Sequence, residues 1–216
     1  MRLLPLPGVF QPPSDSYMLA DQLRRERLGP GASVLDLGTG SGHLAVVAAL
    51  AGASAVAVDV SLRALISARL NAALNGVRVT ALRGDLFAPV AGRRFNVIVS
   101  NPPYLPHPGE ALPQRGLARA IDAGPRGRAF LDRICAQAAG HLAPRGVLLL
   151  VHSSVNGEHE TLQALLSHGL SPEVVFRHRG ALGPILQARV DWLRSGGMLL
   201  AHDEEEILVI RAQAPR

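Results

Sequence analysis

Short apolar runs alternate with helix-like segments along most of this chain, and that alternation restricts the possible fold more than any other feature. Strands are predicted at 33–38, 55–60, 77–85, 95–103 and 146–154, and helices at 42–52, 62–76, 127–142 and 157–169. The predicted strands are apolar along nearly their whole length, which is typical of parallel strands in a sheet covered by helices on both faces. In such sheets ligands bind beyond the carboxyl ends of the strands.

Further elements are predicted near both ends of the sequence. Residues 14–29 have the pattern of a capped helix that precedes the first strand. Residues 173–180 and 204–213 predict two late strands, which enclose a helix at 183–197. The sequence therefore predicts an α/β fold in which a mostly parallel sheet is completed by an antiparallel edge strand.

The basic residues and the single cysteine exclude several kinds of chemistry. All 22 basic residues are arginine, so the chain has no lysine to serve a P-loop, a Schiff base or general-base catalysis. Cys135 has no partner for an intrachain disulfide and lies in an apolar helix pattern, where a buried thiol is expected. The net charge of +5 permits a nucleic acid or ribosomal partner without requiring one.

The sequence also bears on localisation and on metal binding. Its apolar runs are broken well short of a membrane span, and prolines interrupt any signal-peptide core near the N-terminus. We therefore predict a cytoplasmic protein with no membrane partner. The eight histidines are scattered without metal-ligand spacing, so no metal site is predicted.

A glycine-rich loop follows the first predicted strand, in the stretch LDLGTGSGHL. Gly38, Gly40 and Gly42 allow the backbone to approach a ligand closely and to turn sharply into a helix. Such a loop is weak evidence by itself, because a tight turn between a strand and a helix uses the same residues.

Acidic residues stand at the ends of three successive strands. Asp36 precedes the glycine loop, Asp59 ends the second strand, and Asp85 ends the third. A carboxylate at the second position can accept both hydroxyls of a ribose, and one at the third position suits an adenine amino group. Each acid alone would be interpreted as a helix cap or a surface residue, but the three together indicate a nucleoside site.

The motif NPPY, residues 101–104, ends the fourth predicted strand. Two prolines in a row cannot donate to a sheet ladder, so the strand must end there. Starting a turn is the common role of an Asn-Pro pair. Starting a turn does not explain why the NPPY residues follow the fourth strand when the three preceding strands end in acidic residues. Parallel strands bring all of these positions to one edge of the sheet.

With the loop, the acids and NPPY together, the chain resembles class I S-adenosylmethionine-dependent methyltransferases. Within them it resembles the HemK/PrmC group, which methylates the glutamine side-chain amide of translation release factors, over residues 9–180. The segment at 9–19 is similar to one that lies over the cofactor in that group, with Ser16 in place of the usual threonine. The segment at 118–134 is similar to the glycine-rich stretch after NPPY.

The resemblance implies a Rossmann-like fold with a seven-stranded sheet and a single methyltransferase domain over 1–216, in a short form that lacks the group's helical N-terminal domain. Its expected parts are a cofactor-covering segment at 1–30, a core at 31–180 and a helical insertion at 181–203. The insertion departs from compact members of the short form.

The resemblance also implies the cofactor and the site residues. The cofactor would be S-adenosyl-L-methionine, bound by Ser16, Asp36, Gly38, Thr39, Gly40, Gly42, Asp59, Val60, Asp85, Leu86 and Asn101. The acceptor amide would be held by Asn101, Pro102, Pro103 and Tyr104.

The NPPY residues suit a planar nitrogen, which is a poor nucleophile because its lone pair is delocalised. The side-chain carbonyl of Asn101 and the backbone carbonyl of Pro102 can each accept one N–H of an NH₂ group. Proline fixes its own φ, so the direction of its carbonyl varies little. Tyr104 can stack on the planar group and help to desolvate it.

Several alternatives remain open. Adenine also presents a planar NH₂, so an N6-adenine methyltransferase acting on DNA or RNA is one. A lysine or small-molecule N-methyltransferase is a second, and a non-catalytic protein that kept the fold is a third. The sequence favours a protein substrate, because no nucleic-acid recognition module is found and the arginines of 115–133 are also typical of an exposed helix face.

A second partner is suggested only by the resemblance. Short-form relatives in eukaryotes and archaea work with a small zinc-binding activator subunit that covers an apolar sheet edge. Whether this chain needs such a subunit, or whether its own insertion does that work, is not decided by the sequence.

Overall fold

Seven strands form one mixed sheet in the computed structural model, which describes residues 1–11, 14–109, 111–114, 116–199 and 203–216. The strands are β1 (Ser33–Leu37), β2 (Ser54–Asp59), β3 (Val79–Arg83), β4 (Phe95–Ser100), β5 (Leu142–Ser153), β6 (Ser171–Ala181) and β7 (Glu204–Gln213). The α-helices are α1 (Ser14–Arg25), α2 (His43–Leu50), α3 (Leu62–Leu74), α4 (Leu131–His141), α5 (Glu158–Ser167), α6 (Pro184–Gln187) and α7 (Val190–Ser195).

The strand order across the sheet is β3-β2-β1-β4-β5-β7-β6. Strands β1 to β5 pair in parallel, and β7 pairs antiparallel with both β5 and β6. The predicted sheet, mostly parallel with antiparallel pairing at one edge, is confirmed. The antiparallel strand itself is β7, which lies one place in from the edge that β6 forms. The order reverses between β1 and β4, so their carboxyl ends border the crevice where ligands bind in this architecture.

Both faces of the sheet are buried, as the apolar strands predicted. Alternate residues point to opposite faces, so that Val97 and Val99 of β4 join one core and Ile98 joins the other. Helices α1 and α2 contribute to the first core, and α4 and α5 to the second. Cys135 is fully buried in the second core, and burial raises the pKa of its thiol to about 12. Its expected place as a small core residue is confirmed.

Several boundaries differ from the prediction for local reasons. The helix predicted from residue 127 begins at Leu131, because Gly127 has φ +65°, outside the helical region. The single helix predicted at 183–197 is two short helices, separated at Ala188 and Arg189. The predicted cap of α3 is confirmed, since Ser61 Oγ accepts a hydrogen bond from the Ala64 amide at 3.4 Å.

The segment between β6 and β7 has a small apolar cluster of its own. Leu182, Leu186 and Leu193 are buried there together with Val155, and Trp192 packs against them. We call residues 182–199 the β6–β7 insertion; residues 200–202 of the segment expected at 181–203 lie outside the described residues. Among the helices that the structure describes, none combines the length and the apolar character needed to cross a membrane.

Candidate active site

The glycine loop turns the chain from β1 into α2, and its first and last glycines have different structural roles. Gly38, Gly40 and Gly42 have φ of +68°, +53° and +84°, which favour glycine. A Cβ on Gly42 would lie 2.6 Å from Ala68 Cα, so this glycine lets α2 pack closely against α3. A Cβ on Gly38 would meet no atom within 4 Å. The first glycine therefore presents its backbone to open space at the carboxyl end of β1.

Asp36 supports the loop from inside the protein. Its Oδ2 accepts hydrogen bonds from Thr39 Oγ1 at 2.6 Å and from the Ala45 amide at 3.0 Å. Burial raises the pKa of Asp36 to about 7, against the lowering effect of these two bonds. Its Oδ1 is also buried and has no hydrogen-bond partner among the described residues. Because a buried unpaired acceptor is costly, this oxygen suits a ligand that donates to it.

Asp59 is partly buried at the end of β2 and reaches across to the same loop. Its Oδ2 accepts from the Gly40 amide at 3.0 Å, and its Oδ1 accepts from the Ser61 amide at 2.8 Å. Burial raises its pKa. Each carboxylate oxygen can accept two hydrogen bonds, so Asp59 retains capacity for a ligand hydroxyl. Val60, the next residue, is also partly buried.

Asp85 lies just beyond the end of β3 and beside Asp59, since the Gly84 amide donates to the Asp59 carbonyl at 3.1 Å. Arg133 of α4 donates to Asp85 Oδ2 at 2.6 Å, and both side chains are about half exposed. An exposed ion pair of this kind is weak. Leu86 has φ +46°, a conformation that non-glycine residues adopt rarely and that is frequent at functional sites.

Asn101 lies directly after β4, next to the loop that follows β1. Its Nδ2 donates to Ser16 Oγ of α1 at 2.8 Å, which brings the segment at 14–19 over the NPPY motif. This bond turns Asn101 Oδ1 away from Ser16. Within the described ranges, neither Asn101 Oδ1 nor the Pro102 carbonyl accepts a hydrogen bond. Two unused acceptors from adjacent residues thus stand at the carboxyl end of β4.

Tyr104 is held at both its ring and its backbone. Its hydroxyl donates to Asp15 Oδ2 at 2.5 Å, and its carbonyl accepts from Asn156 Nδ2 at 2.6 Å. Burial raises the pKa of Tyr104 well above its usual value, and the Asp15 carboxylate raises it further. The phenol therefore stays protonated. A Cβ on Gly127 would overlap the Tyr104 carbonyl oxygen and Asn156 Nδ2, which explains the glycine at that position.

Three of these supporting residues were not selected from the sequence. Asp15 lies inside the 9–19 segment, so its place beside Ser16 was the available signal. Gly127 lies inside the 118–134 segment, so the likeness of that segment to a glycine-rich stretch was the available signal. Asn156 has no local signal, because it acts through a partner that is distant in sequence. Pro12 and Pro13 of the 9–19 segment, and Arg115 of the predicted arginine-rich face, lie outside the described residues.

A cavity of about 480 Å³ opens beside the NPPY residues. All four of them line it, as do Asp15, Glu205 and residues of the β6–β7 insertion. A larger groove of about 1440 Å³ lies at the other end of the strands and is lined by none of the predicted site residues. The smaller cavity is therefore the one that the NPPY residues can serve.

Comparison with known proteins finds similarity to methyltransferases. The methyltransferase small domain family model matches residues 1–171. A protein of Methanocaldococcus jannaschii, named as a candidate protein N5-glutamine methyltransferase, is 36% identical over 172 residues, which cover 79% of this chain and 85% of that protein. The release factor glutamine methyltransferase of Geobacter sulfurreducens is 38% identical over 168 residues, 74% of this chain. The chain spans 58% of that second protein's length.

A solved structure shares the fold. It is the E. cuniculi Mtq2–Trm112 complex, described as responsible for the methylation of the translation termination factor eRF1. The match has a TM-score of 0.66 at 23% identity and covers 96% of this chain and 99% of that chain. At this identity the likeness shows the Rossmann-like architecture alone.

Proposed function

This chain belongs to the methyltransferase small domain family, and we propose that it transfers a methyl group from S-adenosyl-L-methionine to the side-chain amide of a glutamine in a protein. The favoured acceptor is the Gly-Gly-Gln loop of a peptide chain release factor. The observation that carries the proposal is the pair of unused acceptors at the end of β4, Asn101 Oδ1 and the Pro102 carbonyl. The names of the curated relatives support glutamine as the acceptor.

The residues around the glycine loop fit this cofactor. Gly38 leaves space for close approach, and Asp36 offers a buried oxygen without a partner. Asp36 would receive the ammonium group of the methionine part, Asp59 the ribose hydroxyls and Asp85 the adenine amino group. The other predicted contacts, Ser16, Thr39, Gly40, Gly42, Val60, Leu86 and Asn101, would shape and cover the same site. When bound, S-adenosyl-L-methionine supplies a methyl group on a positively charged sulfur.

The chain's own residues prepare the acceptor. Asn101 Oδ1 and the Pro102 carbonyl each accept one N–H of the glutamine amide, which orients the nitrogen and raises its electron density. The rigid Pro102-Pro103 pair keeps these acceptors in place, and Tyr104 covers the planar group. In the transfer, the nitrogen would gain one bond to the methyl carbon as the bond between that carbon and sulfur breaks. The sulfur would leave as a neutral thioether, and the nitrogen would release one proton to solvent. Tyr104 is not the base, because its phenol is already protonated and donates to Asp15.

The proposal is tested by supplying labelled cofactor to the purified chain with separate candidate acceptors. We expect label on the release factor, located by mass spectrometry on the loop glutamine, and none on the factor with Gln→Ala in that loop. Ribosomal RNA and DNA serve as competing acceptors. Label on nucleic acid alone would overturn the proposal in favour of adenine. Label that persists on the Gln→Ala factor would move the site to another residue and favour lysine.

We propose further that a small protein subunit docks on the outer face of α3 and the free edge of β3. Four large apolar residues of α3 at intervals of four are exposed, which are Leu62, Ile66, Leu70 and Leu74. The stretch 60–84 contains four arginines and no acidic residue, so an acidic partner fits it. Among the strands that the structure describes, β3 pairs only with β2, and its other edge can receive a strand from that partner.

Substitution of the α3 stripe should abolish this association. We expect the chain to copurify one-to-one with a Trm112-type protein of its own organism when the two are co-expressed. The double variant Ile66→Glu, Leu70→Glu should lose the partner, because it places charge where apolar surface would be buried. Leu166→Glu, at an equally exposed leucine of α5, is the control. Copurification that survives the double variant, or fails with the wild-type chain, would contradict the assignment.

A further inference from the structure

We propose that the β6–β7 insertion is the wall that sets acceptor selectivity, and that Arg189 is the positioning residue that fixes this wall to the NPPY segment. This inference rests on the proposed function, since it concerns the protein segment admitted to the same cavity. It assigns a role to the two short helices between β6 and β7.

The insertion is a packed unit with an apolar interior. Leu186 and Leu193 are 2% and 0% exposed, and they pack with Leu182 and with Val155, which lies just after β5. Burial of this extent stabilises one arrangement of the two short helices. The insertion therefore presents a surface of fixed shape to the cavity.

One tether holds the beginning of the insertion. The Gly183 amide donates to Glu205 Oε1 at 3.0 Å, and Ser153 Oγ donates to Glu205 Oε2 at 2.6 Å. A single carboxylate thus joins the first residues of the insertion to the ends of β5 and β7. Glu205 itself lines the cavity.

A second tether holds the junction between α6 and α7. Arg189 Nη1 donates to the Pro106 carbonyl at 2.6 Å and to Asp122 Oδ1 at 2.9 Å. The Asp122 side chain is 5% exposed and that of Arg189 is 20% exposed. Removing the arginine would leave a buried carboxylate without its charged partner, which is costly for the local structure.

This second tether acts on the residues that follow the NPPY motif. The Leu105 amide donates to the Ile121 carbonyl at 2.8 Å, and the Ala123 amide donates to the Leu105 carbonyl at 2.9 Å. Arg189 contacts both strands of this short ladder, at Pro106 and at Asp122. Because Pro106 is two residues after Tyr104, the position of the insertion and that of the acceptor site are mechanically linked.

The surface that the insertion presents is apolar. Pro184, Ile185 and Leu186 line the same cavity as Asn101 and Tyr104. Ile185 is 38% exposed, so it borders the mouth of the cavity. A rigid apolar wall admits a target side chain whose neighbours are small and uncharged, and excludes one with bulky neighbours. The structure thus assigns to Ile185 and its neighbours in the insertion the steric limit on the residues that flank the target side chain.

The selectivity test varies the wall and the acceptor together. The wild-type chain, Ile185→Ala and Ile185→Trp are each given the release factor and a factor in which the glycine before the glutamine is replaced by valine. We expect Ile185→Ala to raise the activity ratio of the valine factor to the glycine factor by about tenfold, since it widens the mouth. Ile185→Trp should raise KM for the normal factor. An unchanged ratio in Ile185→Ala would overturn the inference.

The positioning test uses Arg189→Met, which keeps an apolar stem and removes the donors. We expect KM for the factor to rise about tenfold and the Kd of the cofactor to stay within about twofold. The control is Arg194→Met in the same insertion, which breaks the exposed pairs of Arg194 with Asp191 and Asp203. Equal loss of cofactor and acceptor binding in Arg189→Met would mean a merely structural role and would overturn the assignment.

A readout without any acceptor separates this inference from the proposed function. Hydrogen exchange of the Leu105 and Ala123 amides should accelerate in Arg189→Met and stay unchanged in Arg194→Met. If the wild-type chain labels no release factor, the proposed function fails, and this exchange experiment still decides whether Arg189 holds the ladder. Unchanged exchange in Arg189→Met would contradict the tether.

Discussion

Replacing Asn101 by alanine is expected to lower kcat about 100-fold or more, the cost of removing one positioned electrostatic group at a reacting centre. The variant loses the side-chain carbonyl that holds one N–H of the acceptor amide. It also loses the donor to Ser16 Oγ. The Kd of the cofactor should change far less than kcat, because the principal bond of Asn101 in the reaction is to the acceptor.

A graded series tests this assignment of Asn101. Ser16→Ala removes the hydroxyl that accepts from Asn101 Nδ2, and kcat should fall about tenfold or less, as expected for one neutral hydrogen bond. Asn96→Ala, at the other end of β4, controls for the loss of an asparagine from this strand; its Oδ1 bonds to Ser33. Near wild-type turnover in Asn101→Ala would mean that NPPY only ends the strand.

The positions of the candidate site residues followed from the sequence because parallel strands end at one edge of the sheet. Asp36, Asp59 and Asn101 were predicted at the carboxyl ends of strands, and the structure gathers them around the loop between β1 and α2. The Gly40 amide, for example, donates to Asp59 Oδ2 at 3.0 Å, so the loop after β1 and the end of β2 are in direct contact. Local pattern and topology were sufficient for these residues.

The supports of Tyr104 could not be found in the same way. Asp15 and Asn156 are 89 and 52 residues away from it in the chain. Neither belongs to a strand-end pattern, and a single sequence does not indicate that either residue bonds to a tyrosine so distant in the chain. Arg189 is a comparable case. The apolar periodicity predicted a single helix, whereas the structure breaks it where the guanidinium reaches Pro106 and Asp122.

Replacing Asp59 by alanine is expected to weaken cofactor binding by about 1.5–3 kcal/mol, the range for hydrogen bonds to a charged group. That loss corresponds to roughly 10- to 150-fold in Kd. Two effects contribute. The variant lacks the carboxylate that would accept the ribose hydroxyls, and it releases the Gly40 amide, which Asp59 Oδ2 now holds in the glycine loop.

Calorimetric titration of the cofactor measures this loss, and a control separates ligand contact from damage to α3. Ser61→Ala removes the cap of α3 at Ala64 but keeps the Ser61 amide, which donates to Asp59. It should lower thermal stability slightly, and Kd should change little. Asp59→Ala should instead change Kd strongly in a protein that still unfolds cooperatively. A folded Asp59→Ala variant with the wild-type Kd would mean that the Asp59 carboxylate does not accept the ribose hydroxyls, and that the ribose binds elsewhere.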